Sequence, residues 1–178
     1  FYPPDRRTGC HPVQPIATVI NPRGFRAYIR NDIFFQAIPL VLKRRPDTHF
    51  LCPAMADEPQ AQNWIDRLGI QSSVELLPSQ SHPQMAELFR RAQVMVSPSV
   101  HDGTPNSLLE GMACGCYPVA GDLESLREWI TQGVNGSLVN PENPQALADA
   151  ILLALNQPDL CASAAAHNAN LIAERAEY

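Results

Sequence analysis

Apolar residues along this chain recur at two spacings that take turns. Short apolar or β-branched runs, IATVI (16–20), HFLCPA (49–54), SVELL (73–77), QVMVSPS (93–99), YPVAG (117–121) and GSLVN (136–140), predict strands. Between them, apolar positions three and four apart predict helices over 30–45, 57–69, 81–92, 106–115 and 123–133. The signals at their ends agree: Asp57 and Glu58 open one helix and Gly69 stops it, Ser81 stands as an N-cap, and Gly133 closes another. Two further helices are predicted over 141–157 and 158–178, each with proline at its start.

Strand and helix in strict alternation with short connections imply right-handed crossovers and a parallel sheet covered on both faces. The expected fold is therefore α/β, a doubly wound Rossmann-like sheet of about six strands. Residues 16–156 are expected to form this domain. Residues 1–15, rich in proline and polar groups, read as a linker or entry segment, and 157–178 as a C-terminal helix that the chain end truncates. In such sheets ligands sit beyond the carboxyl ends of the strands, where loops run into helix starts.

Composition narrows the function. Of 178 residues, 45% are hydrophobic and 17% charged, which suits one globular domain with a core. A net charge of −5 leaves no basic footprint for nucleic acid, and no apolar run is long enough for a transmembrane segment. Five cysteines without framework spacing point to a reducing compartment, and Cys114 and Cys116, one residue apart, are too close for the usual zinc or redox pairs and read as small buried groups. A chain that opens on Phe1 is expected to be internal to a longer one.

One stretch concentrates chemistry: HDGTPNSLLEGMACG, residues 101–115. A helix that starts near Asn106 leaves the N–H groups of Thr104, Asn106 and Ser107 without intrahelical acceptors, which suits a phosphate, and Gly103 offers backbone without a Cβ. Glu110, one turn on, could accept both hydroxyls of a ribose, and Asp102 would face whatever lies beyond the phosphates. An Asp-Gly turn followed by a dipole-complementing glutamate explains the same residues without a ligand, and spacing alone does not select the ligand. Likewise Arg23, Arg26 and Arg30 by themselves suit a solvated basic loop, His82 and His101 suit loop positions, and Trp64 and Trp129 suit packing.

Taken together, Asp102, seven residues, Glu110 and then GMACGCYPVAGDLESLREWITQGVNGSLVNPENPQALADAI resemble the C-terminal domain of the GT4-type family of retaining GT-B glycosyltransferases. Upstream, NPRGFRAYIRNDIFFQAIPLVLKRRPDTHFLCPAM is similar to that family's first strand, basic loop and first helix, so that the resemblance runs over about residues 16–156. The resemblance implies that a nucleotide-diphosphate sugar is the donor substrate, with no other cofactor and no metal, and that UDP, GDP and ADP remain open. It implies that Arg23 and Arg30 bind the diphosphate, Glu110 the ribose and Asp102 the transferred sugar. Backbone from Gly103, Thr104, Pro105, Asn106 and Ser107 would line the donor, and the loop 77–82 would meet the base. Asp102 stands where the family more often has Glu, and Arg30 where Lys is usual.

The implied activity is hexosyl transfer with retention to an acceptor held by an N-terminal domain that this chain lacks, together with its histidine. The fragment is expected to bind donor and to be inactive alone. The implied location is cytoplasmic, any membrane association being left to the missing domain. A non-catalytic nucleotide-sugar-binding module and a nucleotide-sugar epimerase of the same architecture are the competing readings. A dinucleotide dehydrogenase is disfavoured, because NPRGFR after the first strand has no Gly-x-Gly-x-x-Gly.

Overall fold

A computed structural model describes residues 16–175. The linker expected over 1–15 and the end of the final helix at 176–178 lie outside the described residues. The strands are β1 (Thr18–Ile20), β2 (His49–Cys52), β3 (Val74–Leu76), β4 (Val94–Ser97), β5 (Tyr117–Gly121) and β6 (Ser137–Val139). The helices are α1 (Asn31–Leu42), α2 (Pro59–Leu68), α3 (His82–Arg91), α4 (Asn106–Ala113), α5 (Glu124–Arg127), α6 (Pro144–Asn156) and α7 (Pro158–Arg175). The six strands form one sheet in the order β3-β2-β1-β4-β5-β6, every pair parallel. This is the doubly wound α/β architecture expected from the alternation of periods.

Strand residues divide between two cores with period two, as a sheet covered on both faces requires. Val19, Phe50, Val94, Val96 and Val119 face a core shared with α1, α2 and α6. Their neighbours Ile20, Leu51, Met95 and Ala120 face the other, built with α3 and α4 and with Leu126 and Ile130. Aromatic side chains thicken the first core: Phe34 meets Phe35 and Phe50 edge-on, and Trp64 stacks on Phe35 with centroids 6.4 Å apart. Trp64 is thus a packing residue, as its helical position suggested.

Local chemistry sets the helix ends. Gly69 takes the left-handed conformation at φ 66° and donates its N–H to Ile65, which closes α2. At the start of α3, Ser81 donates both its N–H and its hydroxyl to Gln84 Oε1, at 2.9 and 2.7 Å. α6 begins at Pro144 rather than at Pro141, because Asn143 Oδ1 accepts the N–H groups of Gln145 and Ala146 at 3.0 and 3.1 Å.

The helix expected over 123–133 is the clearest departure, since α5 ends after four residues. Asn135 explains it: its side chain accepts the Thr131 N–H at 2.7 Å and donates to the Trp129 carbonyl at 2.8 Å, satisfying groups that a continuing helix would have used. Asn168 of α7 completes the arrangement, accepting from Asn135 Nδ2 at 2.8 Å and donating to the Asn135 carbonyl at 3.0 Å. Cys114 and Cys116 are buried as expected, and burial pushes both thiols up from their ordinary range. Among the described residues no helix is long and apolar enough to cross a membrane.

Candidate functional site

The segments that leave β1 and β4 meet at the carboxyl edge of the sheet. Arg30 donates its main-chain N–H to Pro98 and Val100 donates to Tyr28, both at 2.9 Å, and Ile29 bridges antiparallel to Ser99. This stitching lays the basic loop of the first crossover beside the loop that precedes α4.

Two buried asparagines shape the first loop. Asn21 follows β1 directly, and its Nδ2 donates to Asn31 Oδ1 at 2.8 Å, while Asn31 Nδ2 donates to the Arg23 carbonyl at 3.1 Å. Both are fully buried, so each amide must find partners, and the partners they find fix the path of residues 21–23. Neither was singled out in the sequence; a polar residue set immediately after a strand at the ligand edge was the available signal.

Arg23 reaches across and pairs with Asp102 Oδ2 through Nη1. The Ser99 hydroxyl touches both partners, accepting from Arg23 Nη1 and donating to Asp102 Oδ2, each at 3.3 Å. The guanidinium carbon lies 5.6 Å from the centroid of the Tyr28 ring, within cation–π range. Structure therefore brings two of the expected site residues together, 79 positions apart in the chain.

α4 starts at Asn106 with Pro105 as its cap residue, and no side chain caps it. Leu108 and Leu109 turn their N–H groups to the Pro105 carbonyl, at 2.9 and 3.4 Å. Asn106 and Ser107 hold first-turn positions, whose N–H groups helix geometry leaves without an intrahelical acceptor. Asn106, Gly103 and Thr104 are exposed, and nothing lies within 4 Å of where a Gly103 Cβ would be, so there is open room beside the helix start. Gly111 seats the helix close on the sheet: a Cβ there would collide with Met95 Sδ of β4 and come within 3.3 Å of Phe89.

α5 and the turn that follows it hold the loop from its other side. Ser125 donates to the Asp102 carbonyl at 2.9 Å, and Trp129 Nε1 donates to Thr104 Oγ1 at 3.1 Å. Trp129, expected only to pack, does pack against the second core but also braces this loop. Arg175 of α7 covers the same indole at 5.9 Å and donates to the Glu128 carbonyl at 2.7 Å. The hydrogen-bonding roles of Ser125 and Trp129 could not be seen in the sequence, because they depend on α5 breaking off early.

Glu110 pairs with His82 Nε2 at 3.0 Å. His82 is exposed and Glu110 mostly covered, so the contact lies at the surface and joins the loop 77–82 to α4. Arg30 is engaged elsewhere: Nε and Nη2 grip both oxygens of Asp32 at 2.9 and 2.8 Å, and Nη1 reaches Glu142 at 2.9 Å. The Asp32 hydrogen bonds hold the guanidinium more firmly protonated and the Asp32 carboxyl below its usual range. Arg30 thus ties the start of α1 to the approach to α6, and its side chain is not drawn to the α4 start as Arg23 is.

A cleft of about 180 Å³ lies between the β2–α2 connection and the loop 77–82, with Asp57, Glu58, Pro78 and Ser79 among its walls. It adjoins the basic loop, since a Cβ on Gly24 would stand 3.0 Å from the Ala54 carbonyl.

The family pattern described as "Glycosyl transferases group 1" matches residues 24–157. The chain belongs to this family. A relative, the D-inositol 3-phosphate glycosyltransferase of Paenarthrobacter aurescens, is 32% identical over 125 residues, which is 67% of this chain and 31% of that protein. The chain thus spans about a third of that relative's length. Among solved structures, Anabaena Alr3699/HepE in complex with UDP-glucose superposes with a TM-score of 0.81 at 20% identity, over 90% of this chain and 45% of that one. The C-terminal domain of the group 1 protein LpcC from Francisella tularensis gives 0.78 at 21% identity, over 90% and 86% of the two chains. The fold is accordingly that of the C-terminal half of a GT-B glycosyltransferase.

Proposed function

We propose that residues 16–156 are the donor-binding domain of a glycosyltransferase that takes a sugar from a nucleotide-diphosphate sugar and transfers it with retention, without a metal, to an acceptor held by another domain. α7 extends this domain as the C-terminal helix, and the location that goes with this reading is the cytoplasm. The observation that carries the proposal is the meeting of Arg23, Asp102 and the uncapped start of α4 on one side of the sheet edge. Support comes also from the Anabaena neighbour, which was solved with UDP-glucose, and from the Paenarthrobacter relative, which carries a glycosyltransferase name.

In glycosyl transfer the anomeric carbon gains oxocarbenium character while negative charge gathers on the departing diphosphate. Groups that bind that charge more strongly as it grows lower the barrier. Arg23 and the first-turn N–H groups of α4 are such groups, and the room beside Gly103 and Thr104 admits the phosphates. Glu110 orients the ribose once it exchanges His82 for the two hydroxyls, and Asp102 orients the transferred sugar. Arg30 assists the diphosphate only by letting go of Asp32 or Glu142; in the state described it braces the loop that presents Arg23. The cleft beside the loop 77–82 receives the base.

Differential scanning of the 178-residue chain with UDP, GDP, ADP and their glucose or mannose conjugates tests the reading. One nucleotide series is expected to raise the melting temperature, and Glu110→Ala to abolish that rise. An unchanged melting curve with every one of them would refute it.

A further inference from the structure

Resting on the donor-binding reading, we infer that the Arg23–Asp102 pair makes the site discriminate between the sugar-bearing donor and the bare nucleoside diphosphate, that is, between substrate and product. The two side chains are largely covered, at 18% and 14% exposure, and each is the other's charged partner, with the Ser99 hydroxyl touching both. A guanidinium only donates and a carboxylate only accepts. A diphosphate drawn to Arg23 therefore competes with Asp102 for Nη1 and, on whichever N–H groups it binds, sets a like charge beside the carboxylate.

The backbone that carries the displaced carboxylate is held on its far side. Ser125 holds the Asp102 carbonyl and Trp129 holds Thr104, so the backbone on which Asp102 stands is fixed and only its side chain can turn. Within the site it keeps the Ser99 hydroxyl as a donor. A bare nucleoside diphosphate brings no donor from its phosphate end to replace the guanidinium. A sugar attached to the same phosphate brings several hydroxyls, and these satisfy the carboxylate while Arg23 turns to the charge. The exchange of partners is complete only when the sugar is present, so the pair penalises the product and leaves the donor favoured.

Isothermal titration of the 178-residue chain and of Asp102→Asn with UDP, GDP and ADP, and with UDP-glucose, GDP-mannose and ADP-glucose, tests this. Asparagine keeps the shape and an acceptor but removes the competing charge. The variant is expected to bind the nucleoside diphosphate about tenfold more tightly, with a change of less than about threefold for the nucleotide sugar, so that the preference for the sugar collapses. A pair that served only to hold the fold would instead weaken both ligands together, and that result overturns the inference. Ser99→Ala, which removes the donor that the displaced carboxylate keeps, is expected to weaken the nucleoside diphosphate by about twofold to threefold and the nucleotide sugar less, and decides the matter if Asp102→Asn does not fold. If the unaltered chain binds a nucleotide but Asp102→Asn does not bind the diphosphate more tightly or, where that variant does not fold, Ser99→Ala weakens both ligands alike, the inference falls and the donor-binding reading stands. If the unaltered chain binds none of the six compounds, the donor-binding reading itself fails and takes the inference with it.

Discussion

Arg23 and Arg30 lie seven positions apart in one loop, carry the same charge and each meet carboxylates, yet they are differently placed to do chemistry. Arg30 spends Nε, Nη1 and Nη2 on Asp32 and Glu142, one of them a planar two-bond grip on a residue two positions away. Arg23 spends Nη1 on Asp102 and Ser99 and sets Nη2 3.4 Å from the Tyr28 hydroxyl. The first guanidinium commits all three of its nitrogens to two carboxylates, one two positions away and one 112 positions away, that tie the start of α1 to the approach to α6. The second is held by a partner from a distant loop, beside an uncapped helix. Charge alone therefore does not nominate a phosphate ligand; what counts is how many donors the fold has already committed, and to whom.

The largest expected effect separates the two arginines directly. Arg23→Ala should weaken nucleotide binding by about 1.5–3 kcal/mol, roughly tenfold to a hundredfold, while Arg30→Ala should cost only a few-fold. Titration calorimetry on the two variants checks this, and equal losses would erase the distinction. A smaller effect is expected from Trp129→Phe, which keeps the ring under Arg175 but removes the N–H that Thr104 accepts. Donor affinity should fall by about 0.5–1.5 kcal/mol with little change in melting temperature, because only the loop beside Arg23 loses its brace.

The smallest effect belongs to the Arg30 side and is read in acid. The pair with Arg30 depresses the Asp32 carboxyl, so its stabilisation is fully present above the ordinary aspartate value near 3.9 and is lost as pH falls through the depressed one. Chemical denaturation between about pH 5 and pH 2 should show a steeper loss in the unaltered chain than in Asp32→Asn. Both partners are partly exposed, so the difference should stay under about 1 kcal/mol.

Much of the fold was legible because parallel strands buried on both faces leave continuous apolar runs, and YPVAG marks β5 from first residue to last. The length of α5 was not, since Leu126, Trp129 and Ile130 keep helical spacing while the chain has already turned under the control of Asn135. The candidate loop around Asp102 and Glu110 could be read from its turn residues and the helix signal after it. Its internal partners could not: Asp102 answers to an arginine on another crossover, and Glu110 to a histidine at the head of α3. Such pairings follow from strand order, which period alone does not specify. The clasp of Asn21 and Asn31 escaped for the same reason, as amides ten positions apart meet only once β1 and α1 are set side by side.

The seat of α4 on β4 also governs how this part of the molecule can drift. Met95 Sδ fills the space that any side chain at position 111 would need, so the two positions are not free to vary independently. A methyl group gained at 111 calls for a slimmer neighbour at 95, and a bulkier residue at 95 keeps glycine opposite it. A change at either position therefore asks for an answering change at the other, through a contact between helix and sheet rather than anything the helix presents at its open end.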